Sequence, residues 1–190
     1  EEAPVTLVEN QTFTLVNEDI IGNNEKVSIT YKDLYKDIKV GTIILIDDGK
    51  IELEVISIEN KDVVCKVTNG GKLGNKKSIN VPGTHINLPA LKEKDIKDLK
   101  DGCKAEFDYI AASFIRNVDD IKEIRKVLDE NGGKNIKIIS KIESQEGIDN
   151  FDEILDLVEG IMVARGDMGV EVDIQLLPSI QKMMIKKAIA

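Results

Sequence analysis

The chain has 190 residues, 35 acidic against 26 basic side chains, a formal charge of −9 and 42% hydrophobic residues, the composition of a globular protein. That length supports one large domain or two small ones. The acidic balance and the 4% aromatic content argue against a nucleic-acid platform, which needs clustered Lys and Arg to neutralise phosphates and exposed rings to stack on bases.

Up to about Val81 the pattern predicts short strands: Val5–Val8, Thr12–Val16, Lys26–Thr30, Thr42–Ile46, Ile51–Ile56 and Val63–Val67. Apolar and polar residues alternate, and Asn23-Asn24, Asp48-Gly49 and Asn69-Gly70-Gly71 punctuate the runs, as in antiparallel hairpins. The segment 1–81 therefore reads as an all-β domain, a small antiparallel barrel or sandwich. Within it, Asn69 to Lys77 is glycine-rich and basic in an acidic chain. This stretch reads as a mobile hairpin loop able to close over nucleotide phosphates, with Lys76 or Lys77 adding charge. It lacks the order Gly-x-x-x-x-Gly-Lys-Ser/Thr and opens into no helix, which sets a P-loop aside. Asp47 and Asp48 before Gly49 are most simply a turn.

After Pro82-Gly83 the period changes, so 82–190 reads as a second domain. A helix is predicted over Lys92–Lys100, with Gly102 as its stop. Three apolar strands, Phe107–Ile115, Ile136–Ile142 and Gly160–Ala164, then alternate with amphipathic helices. One helix runs from Val118 to Leu128, with Asn117 as N-cap, Ile121, Ile124 and Leu128 on its inner face and Gly132 past its end. The other spans about Ile148 to Val158. Strands apolar on both faces with a helix in each gap predict βαβ units and a parallel sheet, either open and doubly wound or closed as a (β/α)8 barrel. The whole is thus a multidomain α/β chain.

In both architectures chemistry gathers at the C-terminal ends of the strands. There the sequence places Ser113-Phe114-Ile115-Arg116, Ser140-Lys141-Ile142-Glu143-Ser144 and Ala164-Arg165-Gly166-Asp167. Lys141 and Glu143, two apart, project to one side of a strand. Glu143 and Asp167 supply two hard oxygens, a number typical of Mg²⁺ sites completed by water and substrate. Lys141 suits a phosphoryl group in transfer or a developing enolate, and the Gly166 amide allows a substrate carboxylate to approach. The constellation describes phosphoryl transfer or enolisation on an anionic substrate. His85, the only histidine, has no Ser, Cys or Asp partner in sequence and reads as structural, and the four methionines read as core fillers.

Cys65 and Cys103 lie far apart with no CxxC pair, so reduced thiols in a cytoplasm are expected. No run approaches the roughly 20 apolar residues of a membrane span, and residues 1 to 20 lack a signal-peptide layout. The chain opens directly into a strand and closes inside the apolar run Ile180–Ala190, which predicts a piece of a longer polypeptide.

The segment Ile136-Lys137-Ile138-Ile139-Ser140-Lys141-Ile142-Glu143-Ser144-Gln145-Glu146-Gly147-Ile148 resembles the active-site motif of the pyruvate kinases, and Gly160 to Gly169 resembles that family's next barrel strand. Leu45 to Gly49, Asn69 to Asn80, Val81-Pro82-Gly83, Asp108 to Arg116 and Gln181 to Met184 follow the family in order. The resemblance implies a small antiparallel β-barrel lid domain followed by a central slice of a (β/α)8 barrel. It also implies transfer of the phosphoryl group of phosphoenolpyruvate to ADP in glycolysis.

Carried over by position, Lys141 is the transition-state-stabilising lysine, and Glu143 and Asp167 are ligands of Mg²⁺ or Mn²⁺. Gly166 and Asp167 meet the substrate carboxylate, Ser113 and Phe114 line the substrate pocket, and Lys77 contacts the nucleotide. The family's K⁺ ligands, a phosphoryl-gripping arginine and the assembly domain of a homotetramer are expected outside these residues. The segment alone is accordingly expected to have little turnover and to self-associate through open barrel edges. Two other readings stay open: another Mg-dependent barrel enzyme acting on phosphoenolpyruvate or pyruvate, and a non-catalytic nucleotide- or partner-binding module.

Overall fold

In the computed structural model, which describes residues 3–190, the period-two pattern becomes eight strands and one short helix. They are β1 (Val5–Leu7), β2 (Thr12–Val16), β3 (Lys26–Ser28), α1 (Leu34–Asp37), β4 (Ile43–Ile46), β5 (Ile51–Glu59), β6 (Asp62–Asn69), β7 (Gly71–Leu73) and β8 (Ile79–Asn80). Phe13 and Leu15 of β2, Leu53 of β5 and Val63, Cys65 and Val67 of β6 are fully buried, whereas Lys66 between two of them is exposed. Each such Leu or Phe contributes about 1.5–3 kcal/mol on burial. Burial also pushes the Cys65 thiol up to about 12, so it remains a neutral core filler.

These strands form a six-stranded sheet of order β3-β2-β6-β5-β4-β8 and a two-stranded sheet β1-β7 around one core. The ladder runs from β3 to β8 without closing on itself among the described residues. It is not purely antiparallel: β2 and β3 pair in parallel, because the long connection from Val16 to Lys26 returns the chain in the same direction. The β5–β6 hairpin turns on Asn60 and Lys61, both at positive φ as a two-residue loop of matching twist requires. Two register shifts along the β5–β6 ladder mark bulges, which increase the local coil of the sheet.

The expected mobile loop at Asn69–Lys77 is partly strand, since Gly71–Leu73 pairs with Val5–Leu7. A Cβ on Gly70 would stand 2.5 Å from the Leu7 carbonyl oxygen, so only glycine lets the two backbones come this close.

The chain divides into two compact units after Leu88. The junction expected after Val81 therefore moves downstream. Val81 is 6% exposed in the first core, the Tyr31 hydroxyl donates to the Asn87 carbonyl at 3.3 Å, and the Asn87 N–H donates to Asp37 at 3.0 Å. These contacts keep residues 82–88 with the first unit.

The second unit is built from α2 (Glu93–Lys104), β9 (Tyr109–Ala112), α3 (Val118–Glu130), β10 (Lys137–Ile142), α4 (Gln145–Asp149), α5 (Phe151–Leu155), β11 (Gly160–Val163), α6 (Arg165–Glu171) and α7 (Leu177–Ala188). Its three strands are parallel in the order β11-β10-β9. This sequential order, with α3, α5 and α7 packed neighbour to neighbour, is the winding of a curled half-barrel, and it lacks the strand-order reversal of a doubly wound sheet. Ile138, Ser140 and Ile142 face the helices and are fully buried with Ile121, Leu128 and Phe151.

The opposite face departs from the expected burial on both sides: Tyr109 is 54% and Met162 44% exposed. Asn117 caps α3 as expected, its Oδ1 accepting from the N–H groups of Asp119 at 3.0 Å and Asp120 at 3.3 Å, which is worth about 1 kcal/mol. Gly102 does not stop α2. The helix runs through it to Lys104 because the missing Cβ leaves space for the Phe107 ring, 3.3 Å from that point, and the turn comes at Glu106 with φ 55°. The helix expected over 148–158 begins earlier, capped by the Ser144 hydroxyl accepting from Gly147 N–H at 3.2 Å, and breaks at Asn150.

Candidate active site

At the C-terminal end of β9 the chain turns sharply, with Phe114 in the left-handed region at φ 55°. A bulky residue rarely adopts this conformation without support. The support comes from the next strand: the Phe114 N–H donates to Glu143 Oε2 at 2.6 Å, just past the end of β10. Lys141, the second-last residue of β10, donates from Nζ to Ser113 Oγ at 2.8 Å and stands 2.7 Å from Glu143 Oε1. Four of the residues singled out by sequence, Ser113, Phe114, Lys141 and Glu143, thus form one connected cluster.

Glu143 is 1% exposed, and a carboxylate this deep is tolerated only when paired. Its Oε1 is paired with the Lys141 ammonium, and no further donor reaches that oxygen among the described residues. A buried carboxylate oxygen with a lone pair left over is suited to a hard divalent cation. Asp167 lies in the first turn of α6, directly after the neighbouring strand β11, and is exposed. The described residues contain no group of three or more His, Cys, Asp or Glu placed to hold a metal. Mg²⁺ commonly takes only one or two carboxylates and completes its octahedron with water and substrate, so Glu143 and Asp167 fit that ion by chemistry and number. Gly166 is the second residue of α6, and a Cβ added there would meet nothing within 4 Å.

Contacts not foreseen hold this cluster in place. Arg116 donates to Asp120 through its backbone N–H at 2.9 Å, Nε at 3.1 Å and Nη2 at 2.9 Å, and Asp120 is 5% exposed. The carboxylate beside it holds the Arg116 guanidinium above its ordinary range. Asn150 Nδ2 donates to the Arg116 carbonyl at 2.9 Å, and Asn117 Nδ2 donates to Glu146 at 3.3 Å. These bonds tie the turn after β9 to the helix after β10. The available signal was an Arg at a strand end with an Asp four residues on, inside the first turn of a capped helix.

In the first unit Lys77 stands 3.0 Å from Asp47 Oδ1, while Lys50 stands 3.1 Å from Oδ2. Asp47, Asp48 and Gly49 all adopt positive φ between β4 and β5, and the Ser78 hydroxyl donates to Asp48 at 3.0 Å. Hydrogen bonding to Lys77, then to Lys50, holds the Asp47 carboxyl below the usual carboxylate range. No helix among the described residues is long and apolar enough to cross a membrane.

The family model for the pyruvate kinase barrel domain matches residues 1–190. Among similar proteins, the pyruvate kinase of Clostridium acetobutylicum is 57% identical over 182 residues, covering 95% of this chain and 38% of that protein. The pyruvate kinase of Clostridium perfringens is 54% identical over 170 residues, covering 90% of the chain and 36% of that protein. That of Geobacillus stearothermophilus is 45% identical over 189 residues, with 98% and 32% covered. The chain therefore spans less than two fifths of the length of these relatives. With a match along its whole length and relatives of this similarity, the chain belongs to the pyruvate kinase family.

Proposed function

We propose that the cluster at the ends of β9 and β10 is the phosphoryl-transfer site of a glycolytic pyruvate kinase. In the reaction, the bond between phosphorus and the enol oxygen of phosphoenolpyruvate breaks, a bond from a terminal ADP oxygen to phosphorus forms, and the resulting enolate takes a proton to give pyruvate. The single observation that carries this reading is the buried Glu143 carboxylate, with Lys141 2.7 Å from its Oε1 and the Phe114 N–H donating to its Oε2.

Lys141 sets a fixed positive charge where negative charge passes between phosphoryl and enolate oxygens, and the Ser113 hydroxyl orients that ammonium. Phe114 bounds the substrate pocket with its half-exposed ring, while the Gly166 amide and Asp167 meet the substrate carboxylate. Glu143 and Asp167 would hold Mg²⁺ or Mn²⁺, which supplies Lewis-acid stabilisation of the same oxygens when bound. In this reading the first unit is the lid domain, with Lys77 contacting the nucleotide, and the second unit is part of a (β/α)8 barrel. A cytoplasmic location, K⁺ held by groups outside these residues and a homotetrameric parent belong to the same reading.

The test is the conversion of phosphoenolpyruvate and ADP to pyruvate and ATP by the longest polypeptide that carries this sequence. Lys141→Met is expected to lower kcat by about 100-fold or more while Mn²⁺ binding, followed by electron paramagnetic resonance, persists. Glu143→Gln is expected to lose Mn²⁺ binding as well. Near wild-type turnover in Lys141→Met would overturn the assignment. The 190 residues alone, lacking most of a relative's length, are expected to turn over slowly at best.

A further inference from the structure

The ladder between β9 and β10 ends at Ala112 and Ser140, so the turn that follows β9 is held by other means. Four successive residues of that turn meet the second half of β10 and the helices after it. Ser113 Oγ accepts from Lys141 Nζ at 2.8 Å, and the Phe114 N–H donates to Glu143 Oε2 at 2.6 Å. The Ile115 carbonyl oxygen lies 2.7 Å from where a Cβ on Gly147 would stand, and the Arg116 carbonyl accepts from Asn150 Nδ2 at 2.9 Å. Asn150 stands between α4 and α5, its N–H donating to the Glu146 carbonyl and its own carbonyl accepting from Ile154 N–H, both at 3.1 Å. Its amide therefore projects from a fixed backbone.

These contacts differ in what they anchor. The Ser113 and Phe114 bonds end on Lys141 and Glu143, so any ligand of those two groups competes with them. The three bonds from Arg116 to Asp120 stay between the turn and its own helix α3, and leave its position against Glu143 open. The bond from Asn117 Nδ2 to Glu146 is longer, at 3.3 Å. The Asn150 amide alone in this set makes a short bond from the segment after Glu143 to the backbone of the turn without using a charged group. The turn needs such an anchor, because Phe114 is held at φ 55°, a conformation a bulky side chain leaves when its supports go. We propose that Asn150 is a positioning residue for Glu143: its amide holds the Arg116 carbonyl and so fixes the turn whose Phe114 N–H orients the buried carboxylate. This rests on the metal-ligand role proposed for Glu143 and adds the residue that sets its geometry.

The test uses the longest polypeptide that carries this sequence, with Mn²⁺ binding followed by electron paramagnetic resonance and turnover titrated with Mn²⁺. Asn150→Ala removes the amide, and Asn150→Ser removes it with a side chain favoured at a helix start, which protects the fold. Asn131→Ala is the control, since Asn131 Nδ2 also donates to a carbonyl at a helix end, that of Val127 at 2.7 Å, outside the turn and the segment after β10. Both Asn150 variants are expected to bind Mn²⁺ about three- to tenfold more weakly, less than the roughly 10–100-fold loss when a direct partner of a metal ligand is removed. Asn131→Ala is expected to bind it unchanged. The Mn²⁺ concentration for half-maximal turnover should rise by the same factor in the Asn150 variants, while kcat at saturating Mn²⁺ stays within about twofold. Mn²⁺ affinity in the Asn150 variants equal to that of Asn131→Ala, or a fall in kcat at an unchanged half-saturating concentration, overturns the inference. If Glu143→Gln binds Mn²⁺ as tightly as the unchanged protein, or the unchanged protein binds none, the metal-ligand reading of Glu143 itself fails.

Discussion

Asp120→Ala isolates the part of the second unit that holds the site in place. The substitution removes the acceptor of three donors on Arg116, at 2.9, 3.1 and 2.9 Å, in a pair whose side chains are 18% and 7% exposed. Breaking a buried pair from one side typically costs about 3–5 kcal/mol. The lower end applies here, because the guanidinium keeps some contact with water and also feels the Glu146 charge. Asp119→Ala is the matched control: Asp119 lies in the same first turn of α3, but its pair with Lys122 is 3.4 Å long and its side chain 90% exposed. Such a pair is worth about 0–1 kcal/mol.

Both substitutions remove one negative charge near the helix N-terminus, so the dipole contribution cancels in the difference. The expected difference is about 2–3 kcal/mol, a shift of roughly 1–1.5 M in the urea midpoint for a slope of about 2 kcal/mol/M. Far-UV circular dichroism reads the relevant transition, since among the described residues the helices longer than four residues all lie in the second unit. A difference below about 1 kcal/mol would show that Arg116 and Asp120 act as an ordinary surface pair, and the account of how the turn after β9 is held would fail.

Two further outcomes follow from the same geometry. Gly147→Ala places a Cβ 2.7 Å from the Ile115 carbonyl oxygen, a backbone atom with little freedom to move, so a loss of about 1–3 kcal/mol is expected even though alanine is the better helix former; unchanged thermal stability would refute that close approach. Tyr31, raised to about 12 by burial and by its hydrogen bond to Asp37, stabilises the first unit fully below its ordinary value near 10 and loses that contribution as pH rises from 10 to 12. Melting temperatures measured across that interval should fall less steeply for Tyr31→Phe than for the unchanged chain, and parallel slopes would exclude the assignment.

Local pattern was enough for most elements. The alternation at Thr12–Val16, the cap at Asn117 and the strand carrying Lys141 are statements about neighbours in sequence, and each reappears in the structure. The meeting of Lys141 and Glu143 was legible for the same reason, since two residues apart along an extended chain point one way. What pattern alone left undecided depends on partners far along the chain.

Gly102 reads as a helix stop until the Phe107 ring needs the space above it. Gly70-Gly71 reads as a loop until β1 comes alongside. Whether β3 runs parallel or antiparallel to β2, and which face of the β9–β11 sheet stays open, are set by where the chain returns in space, which local periodicity does not encode. The bond from Phe114 N–H to Glu143 crosses between strands, and the Arg116–Asp120 clasp needs a turn that folds back on its own helix. The sequence alone thus determined which groups carry charge and which elements bear them. Tertiary packing decided which of those groups meet, because a buried charge is stable only where distant parts of the chain bring it a partner.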